Sequence, residues 1–248
     1  MSYAPINGLE MYFEVHGPPG GVPLLLLHGG GSTIETSFAN LLPLLSKDRP
    51  IIAFEQQGHG RTADVDRPFS FEQSAADAVA LLRHLQVPKA DLFGYSNGGH
   101  IALQIALDHP EVVRKLILES MMYSREGCAP EFWQGFDHAK LQDMPQELQD
   151  AYRKTAPRPG DLQSFFDKSV ERMRGFQGWT EAEIKSVEVP TLLVLGDRDV
   201  ATVAHAAQMQ RLLPDAQLAV LPGADHAEIT RRSGQVAGIV EAFLGRAR

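Results

Sequence analysis

The chain is short of cysteine, of basic charge and of long apolar runs, and each shortage removes a class of protein. Its one cysteine, Cys128, has no partner for an internal disulfide and cannot supply a four-thiolate zinc site. Lys and Arg number 23 against 31 Asp and Glu, a net charge of −8. No basic stripe is therefore available to displace counterions from a phosphate backbone, and nucleic acid is not an expected partner. The longest apolar run, Leu24–Leu27, falls far below the ~20 residues of a spanning helix, so no membrane partner is expected. The start of the chain has no basic stretch followed by an apolar one, so no secretory signal is read and a cytoplasmic location is the expectation. No H-E-x-x-H, P-loop or dinucleotide-type glycine motif occurs, so no metal and no cofactor are implied. What is present is globular: 248 residues, 44% hydrophobic and 22% charged, enough for one domain plus an insertion.

Apolar runs give the order of elements. Leu9 to His16 alternates apolar and polar residues, as an antiparallel edge hairpin would. Pro23 to Leu27, Ile51 to Phe54, Asp91 to Gly94 and Val112 to Leu118 are short and nearly continuous, which suits strands buried on both faces of a parallel sheet. Between them, Phe71, Ala75, Ala78, Val79, Leu82 and Leu85 share a helix face behind Ser70, a suitable N-cap. A second helix runs from Asn97 to His109 and stops at Pro110. The alternation breaks after Glu119. From Met122 to Ser186 the pattern is of short helices separated by prolines and glycines, one presenting Leu162, Phe165, Phe166, Val170 and Met173, another capped by Thr180 with Glu183. Strands return at Thr191 to Leu195 and Gln217 to Leu221, with helices at Thr202 to Leu213 and Val236 to Leu244. An α/β core over 1–121 and 187–248 with a helical insertion over 122–186 is the expectation.

Two motifs carry chemistry. Gly94-Tyr95-Ser96-Asn97-Gly98-Gly99 joins a buried strand to a helix, where a sharp turn lifts a serine above the sheet edge and small neighbours leave room for it. The helix behind Ser96 directs its N-terminus at charge developing there. His28-Gly29-Gly30-Gly31 follows the leucine strand, and backbone N–H groups in such a loop can aim at an oxyanion.

With these motifs the sequence resembles the α/β-hydrolase superfamily along nearly its whole length. The resemblance extends through Gln56-Gln57-Gly58-His59-Gly60-Arg61, Gly196-Asp197-Arg198-Asp199 and Gly223-Ala224-Asp225-His226. It implies a mostly parallel eight-stranded sheet flanked by helices, with a helical cap inserted after the sixth strand. It also implies the order nucleophile, acid, base, met by Ser96, Asp199 and His226 at intervals of 103 and 27 residues. Asp197 and Glu119 are rival acids. The oxyanion donors would be the N–H groups of Gly30 and Asn97, with Gly29 an alternative. His59, His84, His100, His109, His138 and His205 are expected at surface or cap positions.

The insertion holds Phe132, Trp133, Phe136, Phe165, Phe166, Phe176 and Trp179, half of the chain's 14 Phe and Trp residues in about a quarter of its length. An aromatic lid over the serine points to a mostly apolar substrate group, with Gly29, Trp133, Phe136 and Phe166 as candidate contacts. The expected activity is cleavage of a carboxylic ester or lactone of a small molecule through an acyl-serine. The same three residues could instead serve a C–C hydrolase, an amidase or a perhydrolase, or the fold could hold ligand without catalysis. The oligomeric state stays open, a homodimer being one expectation.

Overall fold

The computed structural model describes residues 2–245. At its centre lie β1 (Ser2–Ile6), β2 (Leu9–His16), β3 (Leu24–Leu27), β4 (Ile51–Phe54), β5 (Ala90–Tyr95), β6 (Val113–Glu119), β7 (Thr191–Gly196) and β8 (Ala216–Leu221). They form one sheet in the order β1-β2-β4-β3-β5-β6-β7-β8, antiparallel at β1–β2 and β2–β4 and parallel elsewhere. The leucine run of β3 is explained by its place in the middle. Leu24 and Leu26 pack on one face with Phe38 and Phe93, while Leu25 and Leu27 pack on the other with Phe54 and Ile101. A strand covered on both faces has no polar side to show.

The antiparallel edge hairpin expected at Leu9 to His16 is present, with a second strand completing it. Leu9–His16 is an interior strand between β1 and β4, and Ser2–Ile6 takes the edge. The two are joined through Asn7 and Gly8, with φ of 49° and 85°, the paired left-handed residues of a tight hairpin turn.

The helices are α1 (Ile34–Phe38), α2 (Leu42–Leu45), α3 (Phe71–His84), α4 (Asn97–Asp108), α5 (Pro130–Asp137), α6 (Gln146–Thr155), α7 (Leu162–Gly175), α8 (Glu181–Lys185), α9 (Val203–Leu212), α10 (Glu228–Arg231) and α11 (Ser233–Leu244). Ser70 caps α3 by accepting the Gln73 N–H at 3.0 Å, and Thr180 with Glu183 forms a capping box on α8. Helices α5 to α8 all fall between β6 and β7, where the strands otherwise follow one another. Part of this segment builds its own core from Met144, Tyr152, Leu162, Phe165, Phe166 and Val170, closed by Phe69 from the sheet side. This is the α/β architecture with a helical cap after the sixth strand that the sequence predicts. Among the described residues no helix is long and apolar enough to cross a membrane.

The parallel strands place the chemistry-bearing loops together. β3, β5, β6, β7 and β8 run the same way, so the turns leaving their C-terminal ends gather at one edge of the sheet, beneath the cap.

Candidate active site

Ser96 turns the chain from β5 into α4 with φ 54° and ψ −119°. A left-handed φ is unfavourable by ~1–3 kcal/mol for a residue with a Cβ, so the surroundings must hold it. They do so through the Ser96 N–H to the Glu119 carbonyl at 2.8 Å and the Gly99 N–H to the Ser96 carbonyl at 2.8 Å. Close approach explains the glycines. A Cβ on Gly94 would overlap the Gly98 carbonyl, and a Cβ on Gly98 would overlap the Leu27 carbonyl.

His226 comes from the turn after β8. That turn is fastened by the Gly223 N–H to Asp197 Oδ1 at 2.6 Å and by Asp225 Oδ1, which accepts the N–H groups of Ala227 and Glu228 at 3.0 and 2.7 Å. The Tyr95 hydroxyl donates to the His226 carbonyl at 2.7 Å and ties this loop to the serine strand. The imidazole Nε2 stands 3.0 Å from Ser96 Oγ, and Nδ1 stands 2.7 Å from Asp199 Oδ1. With Nδ1–H donating to the carboxylate, Nε2 is left as the acceptor that faces the serine hydroxyl.

Asp199 is fully enclosed, with no exposed side-chain surface. Its Oδ1 also accepts the Val200 N–H at 2.7 Å, and its Oδ2 accepts the Ser120 hydroxyl at 2.5 Å. Burial alone would raise this carboxyl. The hydrogen bond and charge of His226, then the bond from Ser120, outweigh burial and hold it below the usual carboxylate range. The rival acids sit differently. Asp197 is exposed and engaged with Gly223. Glu119 is buried at 2% exposure with Oε1 unpartnered, and burial first, then the charge of Asp199, pushes it up to about 8.

The structure therefore brings Ser96, His226 and Asp199 into one hydrogen-bonded chain and leaves Asp197 and Glu119 outside it. Gly30 and Asn97 both line the cavity above Ser96. In the neighbouring loop, the Gly29 N–H is engaged with Ser37 Oγ at 3.3 Å and the Gly31 N–H with His59 Nε2 at 3.3 Å. The cavity is about 450 Å³. Its walls are mostly apolar: Phe132, Phe136, Met144, Leu148, Phe165, Phe166, Val170 and Met173.

Phe136 and Phe166 line this cavity as the sequence suggests; Trp133 and Gly29 do not. Trp133 faces inward instead, stacked on Phe176 at 5.6 Å with its indole N–H donating to the Arg125 carbonyl at 2.8 Å. Its neighbour Phe132 occupies the wall. The histidine expectation also fails in part, since His59, His100 and His205 are buried rather than superficial. His59 Nδ1 donates to the Gln57 carbonyl at 2.8 Å, and His100 Nε2 donates to the Met122 carbonyl at 3.0 Å. Burial lowers both, His100 to about 3 and His59 well below its ordinary value, so both are neutral structural groups at pH 7. Burial likewise raises the Cys128 thiol to about 11, which makes it a poor nucleophile.

Ser120 and Tyr95, which hydrogen-bond to Asp199 and to the His226 carbonyl, are the neighbours of this cluster that sequence reading missed. Ser120 could have been found as the residue following the β6 strand end, beside the already suspected Glu119. Tyr95 gave no signal beyond its place inside the serine turn.

Comparison with known proteins gives the family and the fold. The model of the alpha/beta hydrolase family matches residues 24–239. The chain is 28% identical over 263 residues to the dihydrolipoyllysine-residue acetyltransferase component of an acetoin cleaving system of Pseudomonas putida, covering 95% of this chain. It spans only 66% of that longer relative. It is 29% identical over 260 residues to a 2-hydroxymuconate semialdehyde hydrolase of Pseudomonas sp. (strain CF600), covering 94% of this chain and 90% of the relative. Among solved structures, a meta-cleavage product hydrolase from Pseudomonas fluorescens IP01 superposes with a TM-score of 0.85 at 20% identity, over 100% of this chain and 98% of that one.

Proposed function

The chain belongs to the alpha/beta hydrolase family, and on that premise we propose that it is a serine hydrolase that cleaves a carboxylic ester or lactone of a small, largely apolar substrate. The observation that carries this reading is the chain of hydrogen bonds from Ser96 Oγ through His226 to Asp199, opening into an apolar cavity beside two backbone donors. A serine hydroxyl is a weak nucleophile until a base takes its proton during attack, and His226 Nε2 is within reach to do so. Ser96 Oγ bonds to the carbonyl carbon while its proton passes to Nε2. Asp199 holds the imidazole in the tautomer that leaves Nε2 free and offsets the charge of the imidazolium. The carbonyl oxygen, now negative, faces the N–H groups of Gly30 and Asn97 at the start of α4. The proton on Nε2 then moves to the leaving oxygen as its bond to carbon breaks, giving acyl-Ser96. A water repeats the sequence, with Nε2 taking its proton and Ser96 regaining one as the acid departs.

The segment 122–186 serves in this reading as the cap that walls the acyl side with Phe132, Phe136 and Phe166.

A second reading is favoured by the 29% identical 2-hydroxymuconate semialdehyde hydrolase: the same three residues acting on a carbon–carbon bond. One panel separates the two. Turnover of p-nitrophenyl esters and of aliphatic lactones, with little on vinylogous 1,5-diketones or anilides, supports the ester reading; diketone cleavage exceeding ester cleavage in kcat/KM overturns it.

A further inference from the structure

Five polar side chains line the serine cavity, and four of them already have a partner. Ser96 and His226 face each other at 3.0 Å. The Ser169 hydroxyl donates to the Phe165 carbonyl at 2.8 Å. The Asp143 carboxylate, itself exposed, accepts the Lys140 N–H at 2.8 Å. The fifth is Asn97. It is 8% exposed, and its carboxamide makes no hydrogen bond to another described residue. A buried amide without a partner is unfavourable, because it gives up its bonds to water and gains none in return.

The place of Asn97 in the fold sets what its carboxamide can reach. It is the first residue of α4, directly after Ser96. Its Nδ2 stands 2.2 Å from the point where a Cβ on Gly30 would lie, so the amide end is held against the glycine loop. Gly30 walls the same cavity. The Arg172 guanidinium also nears this point, with Nη2 at 3.5 Å. Arginine carries donors only, so it cannot accept the Nδ2–H groups, and it lines the separate cavity beyond α7. The serine cavity is the side from which an acceptor can reach Nδ2.

We propose that Asn97 selects substrates with an oxygen on the carbon next to the reacting carbonyl, the α-hydroxy and α-alkoxy acyl esters and lactones. The backbone N–H and the Nδ2–H belong to one residue, so the two oxygens that they meet stand close together in the substrate. An O=C–C–O unit satisfies this. The bridging oxygen of the ester is not free for the task, because it must turn to His226 to be protonated as it leaves. This inference rests on the serine-hydrolase reading and narrows its acyl group.

The test compares p-nitrophenyl methoxyacetate with p-nitrophenyl butanoate, acyl groups of equal length that differ by an oxygen in place of a methylene. Each kcat/KM is divided by the rate constant of that ester for hydroxide hydrolysis, which removes the greater electrophilicity of the methoxyacetyl carbon. The corrected wild-type ratio should favour methoxyacetate by about 3- to 10-fold, the range of one neutral hydrogen bond. It should vanish in Asn97→Leu, which keeps the shape and removes the donor, and in Asn97→Asp, which replaces the donor by an acceptor. Methoxyacetone should inhibit the wild type competitively, with a Ki about 3- to 10-fold below that of 2-pentanone. A corrected ratio at or below one, a ratio unchanged in both variants, or equal Ki values for the two ketones overturns the proposal. If the variants fail to fold, the wild-type ratio and the two Ki values decide it. If neither ester turns over and a fluorophosphonate leaves Ser96 unlabelled, the serine reading has failed. Asn97 is then judged alone by whether methoxyacetone raises the wild-type Tm more than 2-pentanone does and loses that advantage in Asn97→Leu.

Discussion

The Ser120 hydroxyl donates a 2.5 Å hydrogen bond to Asp199 Oδ2, the carboxylate oxygen that does not meet His226. Ser120 adopts a φ of 56° just after β6 ends, and that turn is what aims the hydroxyl across to the loop after β7. The carboxylate is thereby fixed from both sides. Ser120→Ala should lower kcat by about tenfold, because a bond to a charged group contributes ~1.5–3 kcal/mol and part of it is spent on orientation. KM should change little. Steady-state kinetics on one ester checks this, and an unchanged kcat would remove Ser120 from the positioning role.

Asp199→Asn should leave folding intact and reduce kcat by up to ~10⁴, since an amide favours the wrong imidazole tautomer. Glu119→Gln should reduce kcat by less than about tenfold, because Glu119 stands outside the hydrogen-bonded chain. Circular-dichroism-matched proteins assayed side by side give the ranking. The reverse order would transfer the acid's role to Glu119.

Glu119 should also leave a pH signature on stability. In the folded protein it keeps its proton up to about pH 8, whereas the unfolded chain releases it near 4.5. Between those values the folded state binds the extra proton, so unfolding becomes easier as pH rises through the window. Glu119→Gln removes this dependence. The Tm advantage of the variant over wild type should therefore be small at pH 5 and grow toward pH 8; a difference that is flat across that range contradicts the assignment of Glu119 as a buried neutral acid.

Packing at the serine turn predicts a contrast between two glycines. Gly98→Ala forces a methyl into the Leu27 carbonyl, while a Cβ on Gly238 in α11 meets nothing within 4 Å. The first should lower Tm by about 6–12 °C, from a loss of about 3 kcal/mol. The second should raise it slightly through helix propensity. Thermal unfolding of the two variants provides the comparison.

In the cap, Phe132→Ala and Phe166→Ala should raise KM for long-chain acyl esters more than for acetate, since both side chains line the cavity. Trp133→Ala should instead destabilise the fold by ~3–5 kcal/mol and affect all chain lengths alike, as removal of a buried aromatic does. A chain-length-specific effect from Trp133 would place its ring at the substrate.

The contrast between Phe132 and Trp133 shows where sequence reading reaches its limit. Local pattern is enough for the leucine strand, the serine turn and the helix caps, because each is dictated by residues close in the chain; the order of Ser96, Asp199 and His226, separated by 103 and 27 residues, is what the resemblance to the α/β-hydrolases implies. Which of two adjacent aromatics faces the substrate depends on how α5 packs against Arg125 and Phe176, and those contacts span up to 43 residues. Ser120 and the buried His59 and His100 were hidden for the same reason. Each acquires its role only from a neighbour that the fold brings from elsewhere.

The central claim is that Ser96 becomes acylated during turnover. Rapid-quench mixing with an activated p-nitrophenyl ester, followed by peptide mapping by mass spectrometry, reads this directly. The account predicts a burst of p-nitrophenol close to one equivalent per active site whenever deacylation is the slower step, an acyl group on the peptide carrying Ser96, and neither in Ser96→Ala. Turnover that persists in Ser96→Ala, or an acyl group found on another residue, would contradict it.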